Sequence, residues 1–210
     1  MADERFESKI YVAVDAGPAA ADRLAAALAA ADIASVLIRP AAGQALDVAA
    51  ARPLVELAQK AGAAALIADD AELARTLRAD GVHLSAGGDP AEAYETARGI
   101  LGGRYIVGAD TGGSRDDAMT LAEIGADYVA FAPKAADTSL RDELCEWWAE
   151  IFEVPCVALD VATADEAASL QAVRCDFVGI TLPASAPAAE SRDLVLAVRG
   201  ALARGLAEAE

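Results

Sequence analysis

Eight short apolar runs, each followed by a longer segment with helical spacing, constrain the fold of this chain more than any other feature. The runs begin at Ile10, Ser35, Ala64, Gly81, Tyr105, Tyr128, Pro155 and Phe177. In the segments between them, leucine and valine recur every three or four residues, as amphipathic helices require. Runs that are apolar at nearly every position are typical of parallel strands, which are covered on both faces. The alternation therefore predicts a repeated β-turn-α unit.

Eight such units in 210 residues favour an α/β fold of the (β/α)8 TIM barrel type, with residues 1–210 in a single domain. An open, doubly wound sheet is the alternative. That fold usually carries a glycine-rich phosphate-binding turn after its first strand, whereas the corresponding turn here reads DAGPAAAD from Asp15. A Pro/Ala-rich loop at 183–189 and a closing helix at 192–210 complete the predicted barrel.

The charge of the chain limits its partners. Asp and Glu number 34 against 17 Lys and Arg, which gives a formal net charge of −17. Such a chain repels nucleic acid and anionic lipid, so we expect neither as a partner. No apolar run reaches the roughly 20 residues of a membrane span, and the charged first residues are untypical of a signal peptide. We expect a cytoplasmic protein, and whether it forms a homo-oligomer stays open.

Three cysteines, Cys145, Cys156 and Cys175, are widely spaced in largely apolar sequence. An odd number without metal-ligand spacing predicts reduced packing thiols rather than a disulfide or zinc framework.

Polar residues follow most of the predicted strands, where a barrel places its catalytic groups. They are Asp15, Arg39, Asp69, Asp70, His83, Ser85, Asp110, Thr111, Lys134, Asp160 and Thr181. Carboxylates that converge on one site repel one another unless they share a cation or a proton. Mg²⁺ takes one or two carboxylates together with water and phosphate oxygens. We therefore predict a Mg²⁺ site at Asp69, with Asp89 or Asp110 as the second ligand.

The other interpretation of these aspartates is helix capping, in which the carboxylate accepts hydrogen bonds from free backbone N–H groups. It applies to Asp15, Asp70 and Asp110. Asp69 is the strongest metal candidate because Asp70 can cap the following helix. His83, the single histidine, is interpreted first as a hydrogen-bonded core residue and second as a group that titrates near neutral pH.

Arg39 and Lys134 are the basic residues at the predicted active face. Two cations there in so acidic a chain indicate a phosphate or carboxylate ligand, and we expect a small phosphorylated molecule. The alternative is that each cation neutralises a neighbouring aspartate.

Two segments, ALIADDAELARTLRADGVHLS at 65–85 and GADYVAFAP at 125–133, resemble the thiamin phosphate synthase family, which includes the thiazole tautomerases. The resemblance extends from about Ile10 to Leu182. It implies a transferase of thiamin biosynthesis that joins a pyrimidine pyrophosphate to a thiazole phosphate. In that reaction pyrophosphate leaves with the help of Mg²⁺ and basic residues, and the thiazole nitrogen captures the cation. We expect the substrate-binding residues to be Arg39, Thr111, Lys134, Thr138 and Ser139, and the metal ligands to be Asp69 and Asp89.

The chain departs from the family pattern at several of these places. The family has a Gln-Leu-Arg-x-Lys pattern on its second strand. This chain keeps the arginine, as Arg39, and has Ala41 in place of the lysine. A Thr-x-Thr-Lys loop is replaced by the residues at 137–140, which end in Leu140. Asp160 and Val161 replace a Gly-Gly phosphate loop, and the tautomerase histidine is missing at 111–113.

Fixed cations stabilise a pyrophosphate leaving group, so their loss predicts slow turnover. Two hypotheses therefore stay open. The chain is either a transferase of this type or a catalytically weakened paralogue that binds a small phosphorylated ligand or acts on a different substrate.

Overall fold

The computed structural model describes residues 6–134 and 137–208. Its strands are β1 (Lys9–Ala16), β2 (Ile33–Pro40), β3 (Ala64–Ala68), β4 (Gly81–Leu84), β5 (Ile106–Asp110), β6 (Tyr128–Phe131), β7 (Cys156–Ala158) and β8 (Phe177–Thr181). Its helices are α1 (Ala20–Leu28), α2 (Val48–Lys60), α3 (Ala71–Leu77), α4 (Pro90–Leu101), α5 (Arg115–Glu123), α6 (Ser139–Ile151), α7 (Ala164–Ala172) and α8 (Ala188–Glu208).

The eight strands close into a barrel in sequence order, and β1 pairs with both β2 and β8. All eight pairings are parallel. The predicted (β/α)8 barrel is therefore confirmed. The closing helix begins at Ala188, earlier than predicted, and the last two residues of its predicted range lie outside the described ones. Val195, Val198 and Leu202 are buried on its inner face.

Alternate strand residues face the barrel interior or the helices, and this alternation divides the core into two layers. The interior layer contains Tyr11, Ala13, Leu37, Leu66, Ala68, Tyr128, Ala130 and Val157. The larger outer layer packs the other strand faces against the helices. The two tyrosines bring hydroxyl groups into this layer.

Gly108 on β5 makes room for one of these tyrosines. A Cβ atom at this position would lie 2.1 Å from the ring of Tyr128. The absence of a side chain on β5 is therefore what allows an aromatic ring on β6 to lie inside the barrel.

The helices begin at the carboxyl ends of the strands, where side chains cap them. Asp70 accepts a hydrogen bond from the Leu73 amide at the start of α3, as predicted, and Asp89 does so for the first turn of α4. These caps fix the strand-to-helix loops that surround one end of the barrel. Among the described residues, no helix combines the length and apolar character that crossing a membrane requires.

Candidate active site at the barrel mouth

A cavity of about 120 Å³ opens at the carboxyl ends of the strands, and we call it the mouth cavity. Its position is the one at which barrels of this type carry their chemistry. Its lining residues are Tyr11, Ala13, Leu37, Arg39, His83, Ser85, Asp110, Ala132, Leu159, Asp160, Gly179 and Thr181.

Arg39 is the basic residue among these, and it is paired with Asp15. The Nε of Arg39 donates to Oδ1 of Asp15 across 2.8 Å, and both side chains are about one-quarter to one-third exposed, at 31 % and 26 %. The strand register explains the pair, because Asp15 on β1 lies directly beside Arg39 on β2. One expectation is corrected here, because Asp15 does not cap α1, whose cap position is Ala19. The pair agrees with the alternative expectation for Arg39, that it neutralises a neighbouring aspartate.

Two carboxylates face the mouth cavity from the other side of the barrel. Asp110 ends β5 and accepts a hydrogen bond from the Gly112 amide at 3.0 Å, so it closes a turn and does not cap α5, which Ser114 does. Burial raises the pKa of Asp110, and the charge of Asp160 raises it further. Asp160 accepts a hydrogen bond from the Thr181 hydroxyl at 2.7 Å. With Asp15 pairing Arg39, these carboxylates give the mouth cavity an acidic character.

A buried chain of hydrogen bonds runs from the mouth cavity into the barrel. The Nδ1 of His83 lies 2.7 Å from the Tyr128 hydroxyl, which lies 3.2 Å from the Tyr11 hydroxyl. His83 is 3 % exposed, and burial lowers its pKa to about 4, against the opposing charge of Asp69. The first interpretation of His83, a hydrogen-bonded core residue, is therefore confirmed. Its imidazole is neutral at neutral pH and can act there as a hydrogen-bonding group.

Asp69 lies just outside the mouth cavity and is held in an unusual conformation. Its φ of 57° is in the left-handed region, which few side chains adopt without support. Ser85 supplies that support, because its amide donates to Oδ1 at 2.6 Å and its hydroxyl donates to Oδ2 at 2.7 Å. The Asp69 amide also donates to the carbonyl of His83. Because neighbouring groups fix this exposed carboxylate in a left-handed backbone conformation, Asp69 is a candidate functional residue.

Asp69 and Asp89, the predicted metal ligands, share an outer groove of about 550 Å³ between α3 and α4. Both carboxylates are exposed, and Asp89 also accepts hydrogen bonds from the Ala91 and Glu92 amides. Asp110 lines the mouth cavity instead. The structure thus places the predicted ligand pair of Asp69 and Asp89 on one surface and Asp110 on another.

The remaining predicted substrate-binding residues lie around the rim. Thr111 is buried, and its hydroxyl donates to the Ala130 carbonyl at 3.3 Å. Lys134 is exposed and pairs through its backbone with Asp137. Thr138 precedes α6, and the Ser139 hydroxyl donates to Asp137. None of the four predicted residues is among the described residues that line the mouth cavity. Their substrate contacts stay predictions.

Sequence reasoning missed the two interior tyrosines, which the apolar strand pattern does not distinguish from packing aromatics. The available signal was spacing within the strand. Tyr11 precedes Ala13 and Asp15 by steps of two on β1, so all three face the same side. A polar group at the end of such a series indicates that the series faces the barrel interior.

A model of the thiamine monophosphate synthase family matches residues 10–182. A thiamine-phosphate synthase of Rhodospirillum centenum is 37 % identical over 194 residues, which cover 86 % of this chain and 91 % of that protein. A thiamine-phosphate synthase of Hyphomonas neptunium is 41 % identical over 131 residues, or 60 % of this chain and 58 % of that protein.

Among solved structures, the thiamine phosphate pyrophosphorylase of Pyrococcus furiosus superimposes with a TM-score of 0.75 at 22 % identity, covering 94 % of this chain and 96 % of that one. This likeness concerns the fold. The family match and the Rhodospirillum relative extend over most of the barrel. The chain therefore belongs to the thiamine monophosphate synthase family.

Proposed function

We propose that this barrel is a transferase of thiamin biosynthesis that joins a pyrimidine pyrophosphate to a thiazole phosphate at the mouth cavity, with slow turnover. Membership of the family supports the reaction class. The observation that carries the proposal is the position of Arg39, the family arginine that this chain retains, in the lining of the mouth cavity.

Arg39 is suited to bind a phosphate group. A guanidinium carries five N–H donors in a planar fork, and its bond to Asp15 uses the Nε. The terminal amino groups can then form a two-pronged contact with phosphate oxygens. Asp15 orients the fork, and its partial burial keeps the charges from being fully screened by water. In this proposal, Arg39 binds substrate and Asp15 positions Arg39.

The charge around the mouth cavity explains why turnover should be slow. Asp110 and Asp160 face the same cavity as Arg39, so a pyrophosphate that binds there meets two acidic groups and one cation. The chain also has Ala41 and Leu140 where the family pattern has lysines. Removing one fixed group that stabilises developing charge typically costs 10²–10³ in rate. The proposed transferase therefore lacks much of the stabilisation that its leaving group needs.

The family implies Mg²⁺, and the outer groove offers the type of ligand atom that this ion prefers. Asp69 and Asp89 offer carboxylate oxygens, which Mg²⁺ prefers, in an open groove that leaves room for water and substrate oxygens. Ser85 holds the Asp69 carboxylate in place through both of its oxygens. We propose that these two aspartates hold the ion, which when bound neutralises charge on the departing pyrophosphate.

The size of the mouth cavity favours a second candidate function. Ligand sites are commonly about 300–1,000 Å³, whereas this cavity is about 120 Å³. It accommodates one phosphorylated group more readily than two substrates together. The alternative function is therefore that of a catalytically weakened paralogue that binds one small phosphorylated ligand, or acts on a different substrate.

Calorimetric titration with thiazole phosphate tests the binding role of Arg39. The variant Arg39→Gln should bind at least about tenfold more weakly, because a hydrogen bond to a charged group is worth about 1.5–3 kcal/mol. The matched control is Arg75→Gln on α3, an exposed arginine paired with Glu72, which should bind like the wild type. Equal affinity of the wild type and Arg39→Gln, or no binding by the wild type, would contradict the proposal.

A further inference from the structure

The three cysteines, far apart in sequence, come together in the fold. Their Sγ atoms all lie within 4.8 Å of one another, and those of Cys156 and Cys175 are 3.7 Å apart. Cys145 lies on α6, Cys156 begins β7, and Cys175 comes just before β8. All three side chains are fully buried, at 0 % exposure. The expectation that the cysteines pack in the core is met, but their wide spacing in sequence concealed a cluster.

The topology of the barrel creates this cluster. Because β7 and β8 are parallel neighbours, their amino ends lie side by side. The Cys156 amide donates to the Asp176 carboxylate at 2.9 Å, which ties the start of β7 to the turn before β8. Helix α6 packs against β7 and brings Cys145 to the same point. The cluster lies at the amino ends of the strands, at the opposite end of the barrel from the mouth cavity.

The donor set consists of sulfur alone. Within residues 6–134 and 137–208, these cysteines are the one group of three or more metal-ligating side chains whose donor atoms converge. The neighbouring carboxylate of Asp176 already accepts the Cys156 amide. Soft thiolate ligands select soft ions. The chemistry of the cluster therefore excludes the hard, oxygen-seeking ions proposed for the outer groove.

The sulfur separations fit a three-coordinate ion. A trivalent ion with a lone pair binds three sulfurs as a pyramid, and bonds of about 2.3 Å then place the sulfurs roughly 3.5 Å apart. The closest pair, Cys156 and Cys175, is 3.7 Å apart, and no pair exceeds 4.8 Å. Rotation about the side-chain torsions would have to bring the other two sulfur pairs to the separation of this closest pair.

Charge balance selects the valence of the ion. Three thiolates carry three negative charges, and an uncompensated charge in so dry a place is costly. A monovalent or divalent ion leaves a net negative charge in the core, whereas a trivalent ion leaves none.

We propose that Cys145, Cys156 and Cys175 form a three-sulfur site for one soft trivalent ion of the arsenic type. Arsenous acid, As(OH)3, is the probe. Three As–O bonds break and three As–S bonds form, each thiol proton leaves with one hydroxyl as water, and no atom is oxidised or reduced. The product is neutral. This site is separate from the proposed transferase function, and the mouth cavity takes no part in it.

Burial makes uptake depend on local opening of the structure. All three sulfurs are inaccessible in the closed barrel, so arsenous acid reaches them when the α6–β7 or α7–β8 region opens transiently. We therefore expect slow uptake, which a low concentration of denaturant accelerates.

The experiment incubates the reduced, full-length protein with arsenous acid and measures its intact mass under native conditions. We expect one arsenic per chain, seen as a gain of one arsenic atom less three hydrogens. Each single cysteine variant should bind arsenous acid at least about a hundredfold more weakly, because the third sulfur binds intramolecularly and so raises the affinity. The variants are Cys145→Ala, Cys156→Ala and Cys175→Ala. Arg39→Gln keeps all three thiols and is the matched control, with unchanged binding.

Two measurements keep the proposal testable if the cysteine variants fold poorly. X-ray absorption at the arsenic edge of the wild type should show three sulfur neighbours and no oxygen. The melting temperature of the wild type should rise with arsenous acid, by the linkage of binding to folding. Two sulfur neighbours, retained oxygen, equal binding by a two-cysteine variant, or tighter binding of Zn²⁺ or Cu⁺ than of arsenous acid would overturn the proposal.

Discussion

Lowering the pH should destabilise the protein, because the buried His83 stays neutral in the folded state. This imidazole lies between the mouth cavity and the barrel interior, with its Nδ1 2.7 Å from the Tyr128 hydroxyl. Burial lowers its pKa to about 4, because the charged imidazolium would lose its hydration; the Asp69 carboxylate opposes this shift and the Arg39 guanidinium adds to it. The folded protein therefore keeps His83 neutral over a pH range in which an ordinary histidine is protonated.

The sign and size of the effect on stability follow from that difference. An unfolded histidine has a pKa of about 6.5, so the unfolded chain takes up a proton as the pH falls below this value while the folded chain does not. The stabilisation is complete above about pH 6.5 and is lost as the pH falls towards 4. At one pKa unit per 1.36 kcal/mol, the full loss is about 3 kcal/mol.

The assay uses the fact that the chain has a single histidine. The imidazole resonances of the folded protein should not shift between pH 7 and 5 and should titrate near pH 4. The variant His83→Gln should lose about 3 kcal/mol less stability than the wild type between pH 7 and 4, since carboxylate titrations are common to both. A titration midpoint near 6.5, or the same pH dependence in both proteins, would refute the reasoning.

Two further predictions concern the loops around the mouth cavity. Asp69→Asn should weaken Mg²⁺ binding about tenfold in a calorimetric titration. The melting temperature should change little, because Asp70 still caps α3. A lower melting temperature with unchanged Mg²⁺ affinity would show that Asp69 is structural. Arg141→Met should destabilise the protein by about 1–3 kcal/mol, or roughly 2–12 °C in melting temperature, because a buried carbonyl loses its hydrogen-bond partner. Arg141 is fully buried and donates to the Asp160 carbonyl, whereas Arg192→Met, on an exposed arginine, should shift melting by no more than about 2 °C. Equal shifts in these two arginine variants would contradict this.

The architecture could be predicted from the sequence because strand and helix patterns alternate eight times without interruption. Each apolar run begins within two residues of the strand that it predicts. The start of α8 was placed too late, because the Pro/Ala-rich segment before Arg192 has no apolar periodicity, although Pro187 at its end permits a helix to begin at Ala188.

The candidate site was predictable as a set of strand ends but not as a set of contacts. Pairing between Asp15 and Arg39 depends on the register of β1 and β2, which side-chain types alone do not specify. Whether an aspartate caps a helix or faces the cavity depends on the backbone at the strand end. The left-handed φ of Asp69 has no signature in its neighbours. The sulfur cluster was missed for the same reason, since only closure of the barrel brings β7 and β8 together with α6.

Turnover of a pyrimidine pyrophosphate and a thiazole phosphate by the purified protein, with Mg²⁺ present, tests the central claim most directly. Enzymes commonly turn over at about 10 s⁻¹, and the loss of two cationic groups should lower the rate about 10⁴-fold or more. The account therefore predicts product formation at about 10⁻³ s⁻¹ or slower, with a further drop in Arg39→Gln. Turnover of about 1 s⁻¹ or faster would contradict it, because the acidic mouth cavity would then stabilise a leaving pyrophosphate without the cations on which the argument depends.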